Sequence, residues 1–140
     1  MRWKSEEIYG GTKDFLRTHP SGLEEPDQML EQRFYLQNRI LCRDQNKGSE
    51  VIVLKNICSA GKLFARQRFY REGEVFSLVW DGLGLRENWR TKKIHGYSAD
   101  FQIKDIDNDG REELVVGMMG TSTSPLFGEK RAYILSYELL

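Results

Sequence analysis

Asp105-Ile-Asp-Asn-Asp-Gly-Arg-Glu-Glu-Leu-Val-Val116 is an acidic loop that opens into a run of β-formers, and Cys42-Arg-Asp-Gln-Asn-Lys-Gly-Ser-Glu-Val-Ile-Val53 repeats its outline 63 residues earlier. Asp44 aligns with Asp107 and Glu50 with Glu113. A second pair of segments, Trp3-Lys-Ser-Glu-Glu-Ile-Tyr-Gly10 and Trp89-Arg-Thr-Lys-Lys-Ile-His-Gly96, lies 86 residues apart, and the match continues through Asp14/Asp100 and Phe15/Phe101. The spacings 86 and 63 differ by 23 residues, about the length of the stretch between Phe15 and Leu36. One insertion into the first copy reconciles them. The chain is thus an internal repeat of about 63 residues with one decorated copy.

Working outward, most of each copy reads as short strands bounded by Gly, Asp and Asn clusters. The expected strands are Arg39–Arg43, Glu50–Asn56, Val75–Trp80 and Arg86–Lys93, then Phe101–Lys104, Glu113–Met118 and Arg131–Tyr137. In Val75-Phe-Ser-Leu-Val-Trp80 both alternating faces are largely apolar, which predicts a sheet covered on both sides. Four short strands per repeat suit a propeller blade. The order is then a D-type strand in residues 1–15, a blade A-B-C-D over 37–98, and an incomplete blade A-B-C over 99–140. The insertion, 16–36, holds a turn at His19-Pro20-Ser21-Gly22. It also holds one short helix over Glu25–Arg33, read from Pro26, the first-turn acids and the spacing of Met29, Leu30 and Phe34.

The 140 residues carry 21 basic and 21 acidic side chains, so no basic excess favours nucleic acid. The apolar runs Val51–Leu54 and Leu114–Val116 are too short for membrane insertion, and Met1–Glu7 lacks the apolar core of a secretory signal.

The chemistry sits in the acidic loop. Asp105, Asp107 and Asp109 would each give one oxygen, Arg111 its backbone carbonyl and Glu113 two, with Gly110 permitting the turn back. Six oxygens before any water suit Ca²⁺ better than Mg²⁺. An EF-hand is excluded, because its twelfth position is Val116 and the acid here opens a strand. The competing reading is a solvated acidic turn. In the first copy the corresponding positions are Cys42, Asp44, Asn46, Gly48 and Glu50, with Lys47 in the place of Gly110, so a plain hairpin turn is expected there.

The loop Asp105-x-Asp107-x-Asp109-Gly110-x-x-Glu113 resembles the FG-GAP/VCBS-type repeats of integrin-α-like β-propellers, over roughly Arg39 to Leu140 with Trp3–Gly10 as the tail of a preceding blade. The resemblance implies an all-β fold of about two blades and a structural Ca²⁺ held by Asp105, Asp107, Asp109, Arg111 and Glu113. It also implies an extracytoplasmic setting.

Other residues carry less. Trp3 and Trp89 occupy equivalent repeat positions, so they and Trp80 read as packing rather than ligand stacking. Cys42 and Cys58 read as buried thiols, since pairing across the Asn46-Lys47 turn sets Cys42 beside residue 51 or 52. His19 and His95 form no triad or zinc pattern, and Glu112-Glu113 would point to opposite sheet faces. Gly120–Gly128 reads as a mobile turn, with a binding loop as the alternative. The expected function is a non-enzymatic, calcium-binding propeller segment that presents loops to a protein or glycan. The alternative is a scaffold or substrate-binding fragment of a larger extracytoplasmic enzyme or surface assembly. Partner strands would come from a homo-oligomer or from the remainder of a larger propeller.

Overall fold

A computed structural model describes residues 3–18, 32–45, 48–58, 68–120 and 131–139. Among them every regular element is a strand: β1 (Phe15–Thr18), β2 (Gln32–Tyr35), β3 (Ile40–Gln45), β4 (Gly48–Cys58), β5 (Tyr70–Trp80), β6 (Leu85–Arg90), β7 (Ile94–His95), β8 (Tyr97–Lys104), β9 (Glu113–Met119) and β10 (Ala132–Glu138). The larger sheet has the order β3-β4-β5-β6, with β7 paired to β5 beyond β6. The second sheet has the order β10-β9-β8, and a separate hairpin pairs β1 with β2. Among the described residues all ladders are antiparallel, an isolated parallel bridge joins Gly10 to Lys55 of β4, and no sheet closes on itself.

The repeat is visible in the registers. Glu50 pairs with Val79 and Leu54 with Val75 in the first sheet. Glu113 pairs with Glu138 and Gly117 with Ile134 in the second. Once Glu50 is laid on Glu113, β10 therefore stands to β9 as β5 stands to β4.

Alternation along β4 and β5 sends side chains to two apolar faces, as the sequence predicts. Ile52, Leu54 and Val75 point to the inner face and share one cluster with Ile94, Phe101, Leu114, Val116 and Met118, which joins the two large sheets. Val53, Phe76 and Leu78 point to the outer face, where Tyr9 and Leu85 pack on them. Tyr9 meets Phe76 edge-on at 5.4 Å, Glu7 pairs with Lys55, and a Cβ on Gly84 would collide with the Trp3 indole. Residues 3–10 thus cover the outer face of the first sheet.

Three expectations are corrected. The arms of the insertion are strands: Phe15 pairs with Tyr35 and Thr18 with Gln32. Gln32 and Arg33, expected at the end of a helix, belong to β2, while Glu25–Glu31 and the turn His19–Gly22 lie outside the described residues. The cross-strand Phe15–Tyr35 ring pair at 5.7 Å, with the Arg33 guanidinium over Phe15, supplies what helical spacing would have forgone. Secondly, residues 3–9 are not a strand: among the described residues the segment touches a ladder only at Gly10, whose N–H donates to Leu54 C=O and whose C=O accepts from Asn56 N–H of β4. Thirdly, Cys42 and Cys58 are exposed thiols, since one lies on the edge strand β3 and the other at the last residue of β4. Cys42 does lie opposite Val51, and no disulfide forms.

Of the tryptophans, Trp89 packs against the inter-sheet cluster, whereas Trp80 stands exposed at the β5–β6 turn. The segment 121–130, which covers most of the Gly120–Gly128 turn, lies outside the described residues.

Candidate metal centre

The two repeats treat the same loop differently. In the first, β3 and β4 zip down to the pair Gln45–Gly48, with Asp44 opposite Ser49 and the Ser49 hydroxyl donating to Asp44 Oδ1 at 2.8 Å. Cys42, Asp44 and Gly48 are therefore ladder residues and not members of an open loop. Asn46 and Lys47 themselves lie outside the described residues. In the second repeat the ladder stops at Lys104–Glu113, and residues 105–112 stand clear as a loop.

Backbone donors wind that loop around its own carboxylates. Gly110 N–H donates to Asp105 Oδ2 at 3.0 Å, Asp109 N–H to Asp107 Oδ1 at 3.1 Å, and Arg111 N–H to Asp109 Oδ1 at 2.8 Å. Ile106 N–H donates to Glu113 Oε2 at 2.9 Å and draws the first strand residue back under the loop. Asn108 (φ 62°) and Gly110 (φ 87°) take left-handed conformations, which suit Asn and Gly and bring the alternate carboxylates to one side.

One carboxylate oxygen from each of Asp105, Asp107, Asp109 and Glu113 lies within 4.8 Å of the others, a set that could hold a metal ion. Four of the five residues expected at the site are thus brought together. Arg111 is exposed in the same loop, and its expected contribution is a backbone carbonyl. Asp105 Oδ1 is buried without a hydrogen-bond partner. Buried carboxylate oxygens normally find donors, so a partnerless one on a member of this four-acid cluster fits a cation site. Unscreened, the closest pair of these charges repels by up to about 4 kcal/mol at an effective dielectric near 20.

Beside the loop lies a network that the sequence does not announce. Glu50, the counterpart of Glu113, is almost wholly buried and accepts a hydrogen bond from the Ser77 hydroxyl. Arg43 reaches Glu50 at 3.9 Å and Glu112, the last residue of the second repeat's loop, at 2.9 Å. In the first repeat a guanidinium and a hydroxyl thus serve the buried acid. Nothing in the spacing of Arg43 and Glu112 along the chain reveals this contact, because it depends on how the two sheets pack. Glu112 is exposed and Glu113 buried, as opposite faces require. His95 is exposed and lies 3.9 Å from Glu72.

No protein-family model matches this chain, and no match is found among curated proteins or solved structures.

Proposed function

We propose that the chain is a non-enzymatic, calcium-stabilised segment of a β-propeller of the FG-GAP/VCBS type, whose loops bind a protein or glycan partner. In this reading β3-β4-β5-β6 is one blade and β8-β9-β10 the first three strands of the next. The observation that carries it is the convergence of one carboxylate oxygen from each of Asp105, Asp107, Asp109 and Glu113, on a residue set that includes the buried, partnerless Asp105 Oδ1. The donors are all oxygen, which suits a hard cation, and a set completed by a bidentate Glu113 and the Arg111 carbonyl would favour Ca²⁺ over octahedral, water-retaining Mg²⁺. The ion's role is structural: it neutralises the acids and fixes the loop that joins β8 to β9.

Calorimetric titration of the metal-free protein with Ca²⁺ and with Mg²⁺ tests the assignment. One Ca²⁺ should bind, Mg²⁺ should bind much more weakly, and Asp107→Ala should abolish the Ca²⁺ heat. Equal affinity for both ions, or an unchanged isotherm for Asp107→Ala, contradicts it.

A further inference from the structure

We propose that Arg43, in the first repeat, is a positioning residue for the metal loop of the second, so that calcium binding and the docking of the two sheets are one linked equilibrium. This rests on the metal site proposed above. Glu112 stands between Arg111 and Glu113, two of the residues expected to hold the ion, and its carboxylate meets the Arg43 guanidinium at 2.9 Å. Among the described residues no other ion pair reaches from the loop 105–112 to the first sheet. The hydrogen bonds that wind the loop are its own, from the N–H groups of Ile106, Asp109, Gly110 and Arg111 to carboxylates within 105–113.

The first sheet holds Arg43 ready for this contact. Arg43 lies opposite Glu50 in the β3–β4 ladder and its guanidinium reaches that carboxylate at 3.9 Å. Glu50 is 1% exposed and fixed in turn by the Ser77 hydroxyl of β5. A chain of contacts, Ser77 to Glu50 to Arg43 to Glu112, therefore runs from a buried strand to the end of the loop. Apolar packing does not replace it there. Beside Arg43 the sheets leave a cavity of about 560 Å³, lined by Trp89, Leu114, Tyr137 and Leu139 as well. Leu114 anchors β9 in the core, and the residues just before it are steadied from the first sheet through the Arg43 pair.

An ion that gathers Asp105, Asp107, Asp109 and Glu113 fixes the backbone on both sides of Glu112, which lowers the entropic cost of its pair with Arg43. Linkage is reciprocal, so the pair favours the ion by the same factor. Simple charge predicts the reverse. Arg43 is a cation near a cation site and also neutralises Glu112, so on Coulombic grounds its removal would tighten calcium binding. The sign of the effect thus separates positioning from field.

Calorimetric titration of the full chain with Ca²⁺ tests the proposal. Arg43→Met keeps most of the apolar stem and removes the guanidinium, and it should weaken binding several-fold. Arg43→Lys keeps the charge without the fork and should fall between it and wild type. In a Glu112→Ala background, Arg43→Met should weaken binding no further. Should Arg43→Met fail to fold, exposed Glu112 reads the same tie. Glu112→Gln and Glu112→Ala lose the same charge, but only the amide oxygen still accepts from Arg43, so the Gln variant should bind calcium more tightly. Binding by Arg43→Met at or above wild-type strength, an equal loss in the Glu112→Ala background, or equal affinities for the two Glu112 variants overturns the positioning role and leaves the metal site standing. A wild-type chain that takes up no Ca²⁺ overturns the site and the role with it.

Discussion

Asp105 and Glu113 show how single side chains set the chemistry of the loop. Each has one oxygen tied to a backbone N–H, from Gly110 and Ile106 respectively, and Asp105 keeps its other oxygen buried and partnerless. Asp105→Asn should keep the loop conformation, because the amide oxygen still accepts from Gly110, yet lower Ca²⁺ affinity by at least tenfold in the same titration. Asp81 is the opposite case, an exposed acid with a structural task. It accepts from the N–H groups of Leu83 at 2.9 Å and Gly84 at 3.0 Å, and those bonds hold its carboxyl below the ordinary aspartate value of 3.8. Its stabilisation of the β5–β6 turn is full above that value and disappears as pH falls through the lowered one. Asp81→Ala should therefore reduce the melting temperature at pH 7 and leave a smaller difference from wild type near pH 2.

At the scale of elements, the insertion is the part most separable from the rest. The β1–β2 hairpin is closed at its base by Leu36 N–H donating to Asp14 C=O at 2.9 Å, and it leaves Leu16 and Phe34 exposed. Replacing residues 16–34 by a short Gly/Ser linker should leave calcium binding and the far-ultraviolet β-signal intact, and an insoluble product would show that the hairpin covers core. The strands were legible because β-branched and aromatic runs between turn residues have few other ways to pack. β3 to β6 and β8 to β10 each overlap an expected strand, though β5 begins at Tyr70 and β8 at Tyr97, earlier than expected, and β6 ends at Arg90. The β1–β2 hairpin was not legible, because Gln-Arg-Phe-Tyr becomes strand only through Phe15 and Leu16 across the sheet. The four acids were legible from spacing alone. Their relation to Arg43 was not, since Glu112 and Arg43 meet only when the sheets pack.

At the scale of the molecule, the two sheets stand or fall together. Leu114 is fully buried in the cluster that unites them, so Leu114→Ala should cost about 2–5 kcal/mol and lower the midpoint of denaturant unfolding accordingly. Glu50 ties the same interface by polar contacts, to Ser77 within the first sheet and through Arg43 to Glu112 of the second repeat's loop. Removing it as Glu50→Ala leaves the Ser77 hydroxyl and the guanidinium short of an acceptor, at about 1–3 kcal/mol.

Thermal unfolding of the wild-type chain with and without calcium shows whether the acidic loop holds a calcium ion on which the fold depends. A ligand that binds only the native state adds RT ln(1 + [L]/Kd), about 2.7 kcal/mol at a hundredfold excess over Kd. The melting temperature should rise by several degrees with Ca²⁺, return to the metal-free value with chelator, and stay flat for Asp107→Ala. A wild-type melt that is the same in calcium and in chelator would contradict the account.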